Sequence, residues 1–513
     1  MQKIKRLLYF LAFLKLILPF LLQNPVYEPH RDEFLYLAEG NHMAFGFMEV
    51  PPLLSVFAWL THLAGAGMFW IKIWPSLFGA LNFILAGKIV LSLGGKAFSV
   101  FLLFLSFIFS AFLRVHFLFQ PNFLEIFFYS LIGYGLIRYI QTSENKWLYI
   151  TGTAMGLGLL SKYSVAFYIV SLVVALLLSP QRKIFLNRHF YFALGVAVIL
   201  FLPNFIWQYT HHFPVLHHMG ELTRTQLQYV SSSSFLKDQI LMFFPCFMVW
   251  IAGLIFMLTT RSGRRYVFLA WAYFGVIAIL LYFHGKSYYA LGLYPLLLGF
   301  GSFAIERWTA ERFYFLRYLI TAWAVLFGLY SSVILLPMQQ PAQLAKTYVK
   351  MHAVKTGALH WEDLRDHPLP QDFADMLGWE EMAQKTGAAY NSLKEDEKRQ
   401  TIVFADNYGM AGAINFYRKK YHLPEAYSDN ASFLYWLPDQ MPIKNLVLIT
   451  DDQEELQHAF IQDFSEAILY DSITSPYARE RGDLIIILKG ANDAFRKFFK
   501  EKIEEDKRRL VEH

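Results

Sequence analysis

The sequence predicts a polytopic α-helical membrane protein that ends in a soluble α/β domain, and three observations carry that expectation. Of the 513 residues, 56% are hydrophobic and only 17% are charged, against roughly 25% charged in a soluble domain. The shortfall is concentrated, because residues 1–337 form a series of apolar runs while 338–513 read as ordinary soluble protein. The formal charge of +6 comes largely from Lys and Arg between the apolar runs. That distribution reports topology and lacks the one-faced basic cluster of a nucleic-acid binder. The bilayer is an expected partner and nucleic acid is not.

A spanning helix needs about 20 apolar residues. Runs that approach this length lie roughly at 6–23, 69–91, 97–113, 121–140, 147–161, 163–179, 189–208, 238–259, 266–283, 289–305 and 318–337. The basic-then-apolar N-terminus resembles a signal peptide, but no small-residue cleavage site follows, so a retained first helix is expected. The shorter run 51–67, "PPLLSVFAWLTHLAGAG", opens on two prolines and contains His62; it is expected to lie on the membrane surface.

Charge then sets the sidedness. If 51–67 does not cross, alternate loops hold Lys3, Lys5 and Arg6; Lys88 and Lys96; Arg138 and Lys146; Arg182, Lys183 and Arg188; Arg261, Arg264 and Arg265; then Arg307, Arg312 and Arg317. The positive-inside rule makes these loops cytoplasmic. About eleven spans, an odd number, then place the C-terminal region outside. The lone Cys246 excludes an intrachain disulfide and a thiolate metal cluster.

The outward loops carry the chemistry. "YEPHRDEFLYLAEG" follows the first run and sets Arg31, Asp32 and Glu33 side by side. Two readings compete: acids that merely solvate a helix end, or a catalytic base at the mouth of a polar cavity. The downstream pattern, "YLAEGNHMAFGFMEVPPLLSVFAWL", favours the second, because it is long and ordered.

On these residues the chain resembles the polyprenyl-phosphate-dependent membrane glycosyltransferases, the GT-C group that includes protein O-mannosyltransferases and the lipid A aminoarabinose transferase. It is similar in particular to the bacterial dolichyl-phosphate-mannose-protein mannosyltransferase-like family. "QPNFLEIFFYSL", "GLGLLSKYSVAF", "LPNFIWQYTHHFP" and "GKSYYALGLYPLLLGFG" follow in the family's order, then "DNYGMAGAINFY" and "YSDNASFLYWLP" in the soluble region. The resemblance implies a GT-C-like fold of about 11–13 transmembrane helices. Residues 1–337 would form the transferase domain and 338–513 an extracytoplasmic domain. It implies a sugar donor on a polyprenyl phosphate and an acceptor hydroxyl on a lipid, glycan or protein. The active site would face outward from the inner (cell) membrane.

The resemblance also implies roles for single residues. Asp32, with Glu33 beside it, takes the place of the catalytic acid of the first outer loop, and Glu125 stands where relatives often have Asp. One carboxylate suffices as base because a sugar phosphate already has a good leaving group. A glycosidase, by contrast, needs two. Basic residues must hold the departing phosphate, and the candidates are Lys286 with Tyr288 and Tyr289, Lys162, and more weakly Arg31, Arg114 and Arg224. Asn407, Tyr408 and Gly409 are expected in a loop that caps the site or meets the acceptor. No cofactor is certain. A divalent metal stays possible, although His211, His212, His217 and His218 lack supporting carboxylates.

In the soluble region "TIVFAD", "NLVLIT" and "LIIILKG" read as buried strands, "DDQEELQHAFIQDF" as a helix and "FRKFFKEKIEEDKRRLVEH" as a solvated charged helix. The rival reading is a transporter or flippase of lipid-linked sugars. Such folds show internal repeats, and none is visible here, while the polar motifs collect on one side.

Overall fold

The computed structural model describes residues 2–438 and 443–509. Its first helices are α1 (Gln2–Leu22), α2 (Arg31–Glu39), α3 (Leu53–Leu63) and α4 (Met68–Ser92). Further helices follow to Leu335, and a smaller α/β unit closes the chain. Among the described residues, six helices are long and apolar enough to cross a membrane, or eight if each of two sharply bent pairs is one span. The protein is therefore a multi-pass membrane protein. This count is lower than eleven for physical reasons. Lys3, Lys5, Arg6 and Lys15 dilute α1, and the helix Lys146–Ser161 has only 16 residues.

The bundle has an inside and an outside. The segment Ser287–Trp308 is 89% buried and lies at the centre, whereas Arg188–Thr210 and Phe315–Leu335 are 22% and 11% buried. Apolar side chains turned outward on the latter pair suit lipid. The eleven residues of α3 extend only about 16 Å, half the hydrocarbon core. A Cβ on Gly40 would come within 2.6 Å of Ala58, so the end of α2 lies tight against α3.

The C-terminal sheet has the order β2-β1-β3-β5-β4, with β1 Thr401–Ala405, β2 Ala426–Tyr427, β3 Asn445–Thr450, β4 Glu466–Ser472 and β5 Leu484–Lys489. Strands β1, β2 and β3 are parallel; β5 is antiparallel to β3 and to β4. Strands β1, β3 and β5 are the three apolar runs read from the sequence. The helix expected at 451–464 is instead a pair of short 3₁₀ turns, Glu455–Gln457 and Ala459–Asp463. Asp452 accepts from the backbone N–H of Glu454 and meets His458 at 2.8 Å, a local pattern that competes with helix. The tail helix Asp493–Arg509 is charged but not solvated all round. Phe495, Phe499 and Ile503, four apart, are buried, and Phe499 meets Phe404 of β1 at 5.3 Å.

One core crosses the join between the two regions. Phe34, Leu35 and Ala38 of α2 pack in the same apolar cluster as Trp379, Val403, Met410, Ile414 and Val447. The helix Tyr408–Tyr421 lies against α2 at close range. A Cβ on Gly412 would sit 2.8 Å from Phe34 Cβ and 3.0 Å from its carbonyl carbon. The two glycines of "YGMAGA" therefore serve helix contact and not a nucleotide loop.

Candidate active site

The adjacent acids Asp32 and Glu33 sit at the start of α2, where unpaired backbone N–H groups favour negative charge. His30 is the N-cap: its Nδ1 accepts from the Asp32 N–H, and Glu33 reaches back to accept from the His30 N–H at 2.7 Å. From there the two carboxylates part. Glu33 is fully buried, and Lys72 of α4 donates to both its oxygens at 2.6 Å. The Phe119 N–H donates to it as well, at 2.5 Å. Every side of this carboxylate is occupied, so Glu33 ties together α2, α4 and the loop at Phe119. The geometry gives it a structural place and not the catalytic one the sequence suggested.

Asp32 is 34% exposed at its side chain. Its Oδ1 accepts from the Tyr408 hydroxyl at 2.8 Å, and its Oδ2 accepts from the Gln120 amide at 3.2 Å. The Gln120 carbonyl accepts from Asn122 at 3.3 Å, and Asn122 accepts from Lys162 Nζ at 2.6 Å. Lys162 also donates to Glu125 at 3.1 Å, whose other oxygen accepts from Ser164 at 2.5 Å. One unbroken hydrogen-bonded line thus joins Tyr408, Asp32, Gln120, Asn122, Lys162 and Glu125. Lys162 Nζ further lies 4.3 Å from the Tyr289 ring centroid and 5.3 Å from that of Tyr288, a cation held over aromatic faces.

Other predicted residues fall beside this line. Lys286 is partly exposed and 3.7 Å from Glu362 of the C-terminal unit. Arg31 reaches towards the C-terminal unit: its Nε is 3.6 Å from Glu480, and its guanidinium lies 4.8 Å from the Tyr408 ring centroid. Gly409 allows this, since a Cβ there would come within 2.5 Å of Arg31 Cγ. Asn407 caps the helix Tyr408–Tyr421 by accepting from the N–H groups of Gly409 and Met410, so its side chain is committed to the backbone. Arg114 is held at 2.5 Å by Asp372. Arg224 is exposed near the end of the helix Pro214–Thr225. Of the histidines, His211 stacks on Trp207 at 4.1 Å and His217 is 3.5 Å from Glu221. Among the described residues one trio, Asp452, Glu455 and His458, lies within ligand reach of a common point. It is in the 3₁₀ turns after β3.

Charge around the α2 start is shared with the C-terminal unit. His30 Nε2 is 3.6 Å from Asp375, which Arg479 approaches to 3.3 Å from another side. Burial pushes the Asp375 carboxyl up to about 6 against these cations. Glu28 accepts from the Glu380 N–H at 2.8 Å, and burial pushes it up to about 7. Burial, with Asp32 next to it, holds the Tyr408 phenol well above its ordinary value, so its proton stays in place as a donor.

Sequence reasoning passed over Gln120 and Lys72. Lys72, one of two lysines in the apolar run 69–91, was a readable signal, because an ionisable group inside a span implies a partner. Gln120 had no such signal.

Three comparisons bear on this arrangement. Residues 49–207 match the family model for dolichyl-phosphate-mannose-protein mannosyltransferase. A curated relative, the lipid A galacturonosyltransferase RgtD of Rhizobium johnstonii, is 24% identical over 279 residues, 48% of this chain and 54% of that protein. The chain thus spans about half the length of the curated relative it matches. ArnT from Cupriavidus metallidurans bound to undecaprenyl phosphate superposes with a TM-score of 0.62 at 12% identity, over 94% of this chain and 97% of that one. The apo state of ArnT gives 0.59 at 12% identity over the same shares. At that identity the superposition speaks for fold. By family model, curated relative and fold together, the chain is similar to the polyprenyl-phosphate glycosyltransferases with the GT-C architecture.

Proposed function

We propose that the protein transfers a sugar from a polyprenyl-phosphate carrier to an acceptor hydroxyl, at the outer face of the inner membrane and with inversion. The observation that carries this reading is the hydrogen-bonded line from Asp32 to Lys162. It sets a partly exposed carboxylate and an ammonium on one polar track between the bundle and the C-terminal unit. In this reading Asp32 takes the proton of the acceptor hydroxyl as its oxygen bonds to the anomeric carbon. The bond from that carbon to the phosphate oxygen breaks, and the electron pair leaves with the polyprenyl phosphate. Lys162 and Lys286, with the Tyr288 and Tyr289 rings, hold the departing charge, and Glu125 holds Lys162. Positioned base and fixed cations are the two contributions such a step needs. Glu33 takes no part in the proton transfer and fixes the loop that presents Asp32. Residues 1–337 form the transferase region and 338–513 an outer unit that closes over it. The lipid acceptor named for the curated relative makes a lipid hydroxyl the first acceptor to try.

The test uses purified full chain with a panel of undecaprenyl-phosphate-linked hexoses and hexuronic acids, with lipid A and water as acceptors. One donor should turn over, and Asp32→Asn should cut that rate by about 10²-fold or more with unfolding temperature kept. Near-normal turnover by the variant removes Asp32 from the chemistry. Sidedness is read separately in a Cys246-free background. Cysteines at 32 and 286 should react with an impermeant reagent from outside, and one at the exposed position 262 only after the membrane is opened.

A further inference from the structure

Asp32 is presented by the bundle side of the chain, yet its shortest hydrogen bond comes from a residue 376 positions away. Tyr408 is the first residue of its helix, and that start is fixed by the Asn407 cap on Gly409 and Met410. The ring is held from above by the Arg31 guanidinium at 4.8 Å. Arg31 in turn is placed by Glu480 and by the absence of a side chain on Gly409. Gly412 then locks the helix onto Phe34. The phenol oxygen therefore has little freedom, and it sits 2.8 Å from Oδ1, while Oδ2 has the longer 3.2 Å amide contact and His30 Nδ1 at 3.9 Å.

We infer that Tyr408 of the C-terminal unit is a positioning residue for the transferase base: its hydroxyl fixes Asp32 by one oxygen and leaves Oδ2 for the acceptor. This rests on the function proposed above. A carboxylate that is free to rotate divides its time among orientations, whereas one anchored by Oδ1 presents a single lone-pair direction, and small misplacement of a reacting group costs rate steeply. A donated hydrogen bond also favours the charged carboxylate, the form that acts as base. The C-terminal unit is in this way part of the catalytic arrangement without touching the reacting atoms. A bundle stripped of it would retain Asp32 in a looser state.

The experiment compares Tyr408→Phe with wild type and Asp32→Asn, using whichever undecaprenyl-phosphate sugar of the panel turns over. Tyr408→Phe keeps the ring under Arg31 and removes one oxygen. The expected result is a fall in kcat of about 10-fold or more. The KM for donor should hold, and the acid limb of the rate should move to higher pH. Thermal unfolding of the same preparations shows that the variant is folded. Wild-type kcat and pH profile in Tyr408→Phe, beside an inactive Asp32→Asn, overturn this inference alone. A lower kcat with an unmoved acid limb and a lowered unfolding temperature also overturns it, since that is the signature of packing. Full activity in Asp32→Asn would instead sink the transferase reading on which the inference rests.

Discussion

Two lysine–glutamate pairs of this protein invite comparison. Glu33–Lys72 joins α2 to α4, and Glu125–Lys162 joins the helix Asn122–Thr142 to the turn after Lys146–Ser161, at 2.6 and 3.1 Å. Both members of the first are wholly out of solvent; in the second, Lys162 is 17% exposed and Glu125 2%. Around Glu33 the remaining acceptor sites are filled by the N–H groups of His30 and Phe119. Around Lys162, besides Glu125, stand an amide oxygen and two tyrosine rings, and part of its side chain still reaches solvent. The lesson is that residue type and place do not tell a clamp from a site. Saturation does: a buried pair with every lone pair matched has nothing left to offer a ligand.

The comparison can be broken first at the saturated pair. Lys72→Met leaves the Glu33 charge buried and uncompensated, which should cost about 3–5 kcal/mol of stability, read as unfolding in detergent. Adding Glu33→Gln should restore part of that, because the amide oxygen still accepts from the loop. An unaltered unfolding curve for Lys72→Met would remove the distinction drawn here. At the open pair the outcome should be inverted. Lys162→Met should keep the fold while weakening donor binding by roughly 1.5–3 kcal/mol, the range for charged hydrogen bonds. Calorimetry with undecaprenyl phosphate checks it, and unchanged affinity would make Lys162 a second clamp.

The contact of α2 with the C-terminal unit is expected to matter next. Gly412→Ala puts a methyl group against Phe34 backbone and side chain and should cost about 1–3 kcal/mol as overpacking, with a lower transfer rate. Thermal scans and kinetics on one preparation report both. The smallest effect concerns pH. Glu28 is raised from 4.5 to about 7 by burial, so between those values the folded chain binds more protons than the unfolded one. Stability should accordingly fall as pH rises through this window. Glu28→Gln should flatten the slope of unfolding temperature between pH 5 and 7, and an unchanged slope would assign it to other groups such as Asp375.

Much of this architecture was legible in the sequence because apolar runs report burial directly. Strands β1, β3 and β5 are such runs, and they are the central strands of the sheet. Strand β2 has two residues, and β4 is an edge strand with most of its side chains outward, so neither leaves an apolar signature. The tail helix misled because its buried stripe of Phe495, Phe499 and Ile503 is narrow amid many charges. At the site, Asp32, Lys162 and Glu125 were named from loop position and resemblance. Their connection through Gln120 and Asn122 was not, since amides carry no charge pattern to read. The Tyr408 bond to Asp32 joins two distant parts of the chain and had no local sign at all.

The apolar seam between α2 and the Tyr408–Tyr421 helix bears on how such proteins can be recombined. A chimera that takes the C-terminal unit from one relative and the bundle from another would cut through a single core, because Phe34, Leu35 and Ala38 lie among the side chains of that unit. Chain order suggests a crossover near residue 337; packing argues that nine residues from the other end of the chain, Arg31–Glu39, must travel with the unit. Exchange that respects this seam swaps the helix that carries Asp32 with its cover, so the inherited module is discontinuous in sequence and continuous in space.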